Sequence, residues 1–159
     1  MEPTITTTPK KKLIGKRLTM SFAHNRTFEL WSSFMPRRKE IANAIGTDLY
    51  SAQQYPEGFF ARFNPTAEFD KWAAVEASNF DTIPDGMEAL TIPEGLYAVF
   101  THIGGPATAE TTFTYIMTDW LPKSGYRLDT RPHFEILGDK YKNGDPNSEE
   151  EVWIPIKKV

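Results

Sequence analysis

The spacing of apolar residues along the chain predicts a series of strands and helices. The segment "KLIGKRLTMSF" (residues 12–22) alternates apolar and polar residues as a half-buried strand does. The next segment predicts a helix, because the apolar residues Leu30, Phe34, Ile41 and Ile45 recur there at helical spacing. Pro36 predicts a kink or break in this helix near Met35. Two extended segments, "DLYSAQQY" and "FDKWAAVEAS", then complete the order strand, helix, strand, strand.

The second half of the chain repeats this order. Residues 87–104 predict a long strand that bends at Pro93 and Gly95. A second helix is expected from near Thr108 to Pro122, with the strongest amphipathic pattern in the chain. Its apolar residues are Phe113, Ile116, Met117, Trp120 and Leu121. The segments "PHFEILG" and "EVWIPI" predict the two final strands.

Two strand-helix-strand-strand modules predict an α+β fold with a pseudo-twofold relation between its halves. The combined antiparallel sheet is too wide for one helix to cover. We therefore expect both helices side by side on one face, with a ligand cleft between them. Residues 1–12 are expected to form a disordered leader, and residues 13–159 a single domain.

The composition excludes several classes of partner and chemistry. A formal net charge of -3 and a pI near 5.6 give no global attraction to nucleic acid or to an anionic membrane. The chain has no cysteine, which rules out disulfides and thiol catalysis. Because the sequence shows neither a signal peptide nor a run of about 18 apolar residues, we expect a cytoplasmic protein without a membrane span.

No motif in the chain predicts a metal or a cofactor. The loop "DKYKNGDPNSEE" (residues 139–150) superficially resembles a calcium loop, but Tyr141 and Pro146 stand at unsuitable positions. The alternative is a polar connection with a turn at Asn143 and Gly144. The three histidines lack metal-ligand spacing. Standard nucleophile elbows, phosphate loops and dinucleotide fingerprints do not occur either.

Aromatic residues are unusually abundant, with 4 Trp, 6 Tyr and 11 Phe in the sequence. They either fill the core or line the cleft. If they line the cleft, the residues that do so are on the helix faces that point toward the sheet and on the strands beneath the helices. The main candidates are Trp31, Trp72, Tyr97, Trp120 and Trp153.

One acidic residue stands inside an otherwise apolar strand. Strand alternation places Glu135 on the same face as His133 and Leu137, opposite Phe134 and Ile136. If that face is exposed, the carboxylate is simply solvated. If it faces the cleft, it is a carboxylate among aromatic rings with no obvious Lys or Arg partner. Such a group would recognise a cationic ligand, while the rings supply stacking and cation-π attraction.

Four segments resemble one known family: "ELWSSFMPRRKEI", "YAVFTHIGG", "DWLPKSGYRLDTRPHFEILG" and "EEEVWIPIKK". On these segments the chain resembles a stand-alone member of the GyrI-like family, across residues 13–158. The same fold serves as the effector-binding domain of AraC-type and multidrug-responsive MerR-type regulators. The acidic "FE" strand followed by the "IPI" strand is the most specific match, and the family's two modules agree with the order of elements given above.

The resemblance implies roles for the candidate residues. The glutamate that matches Glu135 lies at the base of the family's cleft and meets cationic aromatic ligands. Trp153 matches a position in the same cleft that is often a tyrosine, and tryptophan lacks that tyrosine's hydroxyl. Trp31, Trp72, Tyr97 and Trp120 match family patterns without a distinctive motif.

Three functions are then considered. The first is binding of a bulky apolar, cationic or neutral small molecule, by a sensor or a sequestering protein. The second is hydrolysis of cyclopropane-bearing alkylating toxins, as in some relatives. Glu135 would then position water, and Tyr97 or His133 would be the second polar group. The third is a protein-interaction role such as gyrase inhibition.

Because residues 13–158 are occupied by the ligand-binding fold, we expect no DNA-binding helix pair. A protein partner is left open.

Overall fold

The described residues form one antiparallel sheet with helices on one face. The computed structural model describes residues 2–142 and 145–159. Its strands are β1 (Thr4–Thr8), β2 (Lys11–Met20), β3 (Leu49–Gln54), β4 (Phe69–Glu76), β5 (Glu88–Ile92), β6 (Gly95–Ile103), β7 (Tyr126–Leu128), β8 (His133–Leu137) and β9 (Glu149–Lys158). They are arranged in the order β1-β6-β9-β8-β3-β4-β2-β5, and β7 pairs with β9.

Two helical segments connect the strands. Helix α1 (Thr27–Phe34) continues as a 3-10 turn over Met35–Glu40. The change occurs at Pro36, which has no N–H to donate to an α-helical carbonyl, so the break is where the sequence predicts it. Helix α2 (Pro106–Tyr115) continues as a π-helical segment (Ile116–Trp120) and ends in the short α3 (Leu121–Lys123). Within the described part of the chain, no helix is long and apolar enough to cross a membrane.

The strand order confirms the predicted pair of modules. The sheet centre is the β3–β8 pair, in which Ser51 lies opposite Glu135. From this centre outward, β4 and β2 on one side correspond to β9 and β6 on the other. The modules are therefore β2-α1-β3-β4 and β6-α2-β8-β9, related by a pseudo-twofold.

The N-terminal segment differs from its predicted state. Residues 1–12 were expected to be a disordered leader, but β1 pairs antiparallel with β6 from Thr4 opposite Val99 to Thr8 opposite Gly95. This part of the expectation is wrong. The physical reason is the composition of the segment, because β-branched threonine and isoleucine suit a pleated strand.

A single long strand was expected over residues 87–104, but the structure has two strands there. One is at an end of the sheet and the other is second from the opposite end. Strand β5 pairs with β2, whereas β6 pairs with β9 and β1. Pro93 and Glu94 connect the two. Proline cannot donate a ladder hydrogen bond, which explains why the strand stops there.

The sheet has two differently packed faces. On the helix face, Val75 of the sheet packs with Leu30 and Phe34 of α1. Phe100 of the sheet packs with Ile116 of the α2 segment. The opposite face has its own core. That core joins residues of β2 and β5, near one end of the strand order, to residues of β6 near the other. The sheet must therefore curve around this opposite-face core.

Candidate functional site

Glu135 lies on the helix face at the centre of the sheet. Its cross-strand neighbours are Ser51 on β3 and Val152 on β9, and its side chain is half-buried. Gln53 Nε2 donates hydrogen bonds to Glu135 Oε1 at 3.1 Å and to Ser51 Oγ at 3.2 Å. Because Phe134 packs in the opposite-face core, strand alternation turns Glu135 toward the helices.

The surroundings of this carboxyl group favour its neutral form. Burial raises the pKa of Glu135 to about 7, and the charge of Glu150 adds to the increase. The positive charge of Lys71 and the hydrogen bond from Gln53 act in the other direction. The group therefore changes its charge near neutral pH, where an arriving cation would stabilise the carboxylate.

Lys71 is a charged residue of the candidate site that the sequence patterns did not single out. It lies on the helix face of β4, opposite Gln53, and its Nζ donates to Thr27 Oγ1 of α1 at 3.1 Å. Burial lowers the pKa of Lys71, while Glu135 and Glu150 oppose that decrease. A signal was present in the sequence, because alternation places this lysine on one face of β4 with Phe69, Ala73 and Val75. The same reasoning had identified Glu135.

A second acidic group lies further across the helix face. Glu150 Oε1 of β9 lies 3.3 Å from His102 Nδ1 of β6. The other ring nitrogen of His102 is 3.1 Å from Thr108 Oγ1 in α2. Burial raises the pKa of Glu150, and His102 opposes that increase.

Polar groups on four adjacent strands therefore form one surface beneath the helices, which we call the polar floor. Its residues are Lys71, Ser51, Gln53, Glu135 and Glu150.

An aromatic loop borders the polar floor. It is the segment "YPEGFFARF" between β3 and β4, residues 55–63. Tyr55 makes an edge contact with His133 at 4.9 Å between ring centroids, and Phe60 lies 5.8 Å from Phe113 of α2. The loop of one module thus reaches the helix of the other. The patterns considered above assign no role to this loop, although four aromatic residues in a loop containing Pro and Gly are an identifiable signal.

A cavity of about 400 Å³ lies beside this loop. Residues that line it include Tyr55, Phe59, Phe60, Arg127, His133 and Lys157. Burial lowers the pKa of His133 to about 3, so its imidazole is neutral. Its buried Nδ1 has no hydrogen-bond partner among the described residues. The cavity volume is within the range of small-molecule sites. The rings of Tyr55, Phe59 and Phe60 form one part of its wall, and Glu135 is not among the described residues that line it.

Three of the predicted cleft residues lie on the other face of the sheet. Trp153 pairs with Phe134 and stacks on its ring at 5.1 Å, so its expected place beside Glu135 is wrong. The physical reason is a single residue of register, because the neighbour of Glu135 on β9 is Val152. Trp72 and Tyr97 belong to the same opposite-face core.

The polar atoms of the Trp72 and Tyr97 side chains have hydrogen-bond partners. Trp72 Nε1 donates to Gln54 Oε1 at 2.7 Å, and the Tyr97 hydroxyl donates to the Pro132 carbonyl at 2.8 Å. Burial raises the pKa of Tyr97 to about 12. Tyr97 therefore does not converge with Glu135 as the second polar group that hydrolysis would need.

The two helical tryptophans lie on the helix side of the sheet, within hydrophobic packing. Trp31 makes an edge contact with Phe34 at 6.0 Å. Trp120 contacts Phe100 edge-on at 5.1 Å and stacks against Tyr126 at 6.4 Å. These contacts place both tryptophans in the cores beneath their own helices.

Similarity to known proteins identifies the family. The family of GyrI-like small molecule binding domains matches residues 1–157. The chain belongs to this family. A curated relative of this GyrI-like domain is the transcriptional regulator BrlR of Pseudomonas aeruginosa, 28% identical over 160 residues that cover 98% of the chain and 56% of BrlR. The chain thus spans about half the length of that relative.

Solved structures share the GyrI-like fold. SAV2435 bound to tetraphenylphosphonium superposes with a TM-score of 0.76 at 17% identity, covering 99% of this chain and 94% of SAV2435. EcmrR in its DNA complex gives 0.72 at 16% identity, covering 99% of this chain and 58% of EcmrR. A hydrolase from Listeria innocua gives 0.62 at 14% identity, covering 98% and 92%. At these identities the likeness establishes the fold alone.

Proposed function

We propose that this domain binds a bulky aromatic small molecule between its helices, with Glu135 at the base of the site meeting a cationic group of the ligand. The observation that carries this proposal is the half-buried carboxyl of Glu135 on the helix face. Its Oε1 accepts a hydrogen bond from Gln53, and within the described chain Oε2 has no hydrogen-bond partner. An ionised carboxylate in such surroundings gains stability from a cation.

The aromatic loop supports the same type of ligand. Tyr55, Phe59 and Phe60 offer ring faces and edges to a flat or propeller-shaped molecule, and rings also attract cations. The structural neighbour SAV2435 was solved with tetraphenylphosphonium, a cation made of aromatic rings. We infer that the present site takes ligands of similar bulk.

The biological role that we propose is ligand sensing or sequestration in the cytoplasm. The relative BrlR is a transcriptional regulator, and the EcmrR neighbour was solved on DNA. In a sensing role, the GyrI-like domain would supply the ligand-dependent part of a regulatory response, as in multidrug and AraC-type regulators. With a net charge of -3, the chain itself is not proposed to contact DNA.

The deciding experiment compares a cation with a neutral molecule of similar shape. Methyltriphenylphosphonium and triphenylphosphine oxide form such a pair, and calorimetry measures their affinities. Glu135→Gln keeps the shape of the side chain but removes its charge, so cation affinity should fall by about 1.5 to 3 kcal/mol. Affinity for the neutral oxide should change little. Glu151→Gln is the matched control, because Glu151 lies on the opposite face of β9.

Two results would contradict the proposal. An equal loss of affinity for both molecules would indicate a structural role for Glu135. Unchanged binding of both molecules by Glu135→Gln would place this residue outside the site.

Hydrolysis of an alkylating cyclopropane is the second candidate function, favoured by one observation. A carboxyl group with a pKa of about 7 suits a general base at neutral pH. Incubation with a cyclopropane-bearing alkylating agent, followed by chromatography, tests it. Product formation that Glu135→Gln abolishes would support catalysis, whereas binding without product would leave the domain as a binding protein.

A further inference from the structure

Two opposite charges share the polar floor without forming an ion pair. Lys71 on β4 and Glu135 on β8 are separated by the single strand β3. Two strand spacings and a two-residue offset place their Cα atoms about 12 Å apart. In the described part of the chain, neither side chain takes part in an ion pair.

Both charged groups have unused hydrogen-bonding capacity. An ammonium carries three donors, and Lys71 Nζ uses one of them on Thr27 Oγ1. Glu135 accepts from Gln53 through one oxygen only. Unpaired charges away from bulk water are costly, so a ligand that satisfies both groups gains more than one that satisfies a single group.

The positive charge of Lys71 also affects which ligands the site accepts. A simple cation would be attracted by Glu135 and repelled by Lys71 on the same floor. Glu150, the other acidic group of the floor, already has His102 beside it at 3.3 Å. A ligand with one positive and one negative group meets a complementary charge at each end, and a pure anion or a pure cation does not.

We propose that Lys71 and Glu135 act together as a recognition pair, and that the preferred ligand is an aromatic zwitterion whose anionic group contacts Lys71 and whose cationic group contacts Glu135. This inference rests on the proposed function, because it uses the same site between the helices. It assigns Lys71 as the residue that determines specificity between zwitterions and simple cations.

The test uses two dyes that differ in one charge. Rhodamine B is an aromatic zwitterion at neutral pH, and its ethyl ester has the same ring system without the carboxylate. Fluorescence anisotropy measures both affinities for wild type, Lys71→Met, Lys71→Arg, Glu135→Gln and Lys16→Met. The control residue Lys16 is on β2, opposite Ala73 of β4, and also lies on the helix face. Its Nζ donates to Ser33 Oγ.

The expected results separate the two dyes. Lys71→Met should weaken rhodamine B about tenfold through loss of a charge-assisted contact, while ester binding stays level or strengthens about threefold. Lys71→Arg should retain rhodamine B within about threefold, since the charge remains. Lys16→Met should change either affinity by less than about twofold. Circular dichroism on each variant confirms that it is folded.

The results that overturn the inference differ from those that overturn the proposed function. If Glu135→Gln weakens the ester but Lys71→Met affects both dyes equally, or leaves rhodamine B unchanged, the recognition pair is wrong and the binding site stands. If wild type binds neither dye, or Glu135→Gln alters neither, the proposed function fails and the inference fails with it.

Discussion

Ser51 and Glu135 lie directly opposite each other on the two central strands, at the position where the modules are related. Their outer neighbours are Ala73 and Val152, and two residues before these on each strand are Lys71 and Glu150. Ser51 and Glu135 therefore occupy equivalent positions in the two modules, and so do Lys71 and Glu150. The first pair is a hydroxyl and a carboxyl, and the second pair is a cation and an anion. A nearly symmetric scaffold thus produces an asymmetric polar floor, so a ligand bound there as we propose would have one preferred orientation.

The first prediction concerns stability against pH. The folded pKa of Glu135 is about 7, above the usual 4.5, so the folded state binds the proton more tightly than the unfolded state. The contribution of Glu135 to folding stability should therefore be fully present below about pH 4.5 and be lost, by up to about 3 kcal/mol, as pH rises through 7. Glu135→Gln should remove this loss. Urea unfolding at about pH 5 and about pH 8 measures it.

The control for this prediction is Glu151→Gln, which should keep the pH dependence of the wild type. An identical slope for wild type and Glu135→Gln between these pH values would show that Glu135 titrates normally.

The second prediction concerns the aromatic loop. Phe60→Ala removes a ring that contacts both His133 and Phe113, and so removes the ring contact of the loop with α2 that Phe60 makes. We expect stability to fall by about 1 to 3 kcal/mol and affinity for aromatic ligands to fall as well. Phe63→Ala is the control, because Phe63 is 54% exposed. Thermal unfolding and ligand titration test both variants, and equal effects of the two would contradict a bridging role for Phe60.

The third prediction tests the two faces of the sheet. Trp153→Ala removes a ring stacked on Phe134 in the opposite-face core, so we expect a loss of about 2 to 4 kcal/mol in unfolding free energy. At a temperature where the variant stays folded, cation affinity should remain within about threefold of wild type, because no ligand contact is lost. Calorimetry of methyltriphenylphosphonium provides the measurement. A selective loss of cation affinity would return Trp153 to the cleft.

The contrast between Trp153 and Glu135 shows what the sequence could predict. Periodicity was sufficient for the two strand-helix-strand-strand modules and for the set of residues that share a face with Glu135, because alternation within one strand is local. It did not predict β1 or separate β5 from β6. The face of Trp153 relative to Glu135 depends on the register between β8 and β9, which the pattern within either strand does not determine. The Asn143–Gly144 turn expected in the loop between these strands lies outside the described residues.

Lys71 and the aromatic loop were missed for a different reason. The sequence pattern indicated that Lys71 faces the same way as Ala73 and Val75, but which polar groups meet across strands depends on the strand order β4-β3-β8. That order is a tertiary property. The aromatic residues of the loop gained meaning only once Phe60 was seen beside Phe113.

The fourth prediction concerns backbone packing at Gly15. A Cβ there would lie 2.0 Å from the Ala73 carbonyl oxygen and 2.6 Å from Ala74 Cα, both backbone atoms of the paired strand. Gly15→Ala must therefore force β2 and β4 apart, and we expect a loss of more than about 3 kcal/mol. Gly105→Ala is the control, because no described residue apart from its chain neighbours has an atom within 4 Å of the added carbon. Thermal unfolding compares them, and a Gly15→Ala protein as stable as Gly105→Ala would contradict this packing.

Strand β1 has a consequence for colloidal behaviour. The sheet ends in two strands of five residues each, β1 and β5, and short edge strands offer another chain little backbone with which to pair. Removal of Thr4–Thr8 would uncover the edge of β6, which has nine residues and an apolar sequence. A chain trimmed at this point should therefore scatter light and sediment as aggregates at concentrations where the full chain stays clear.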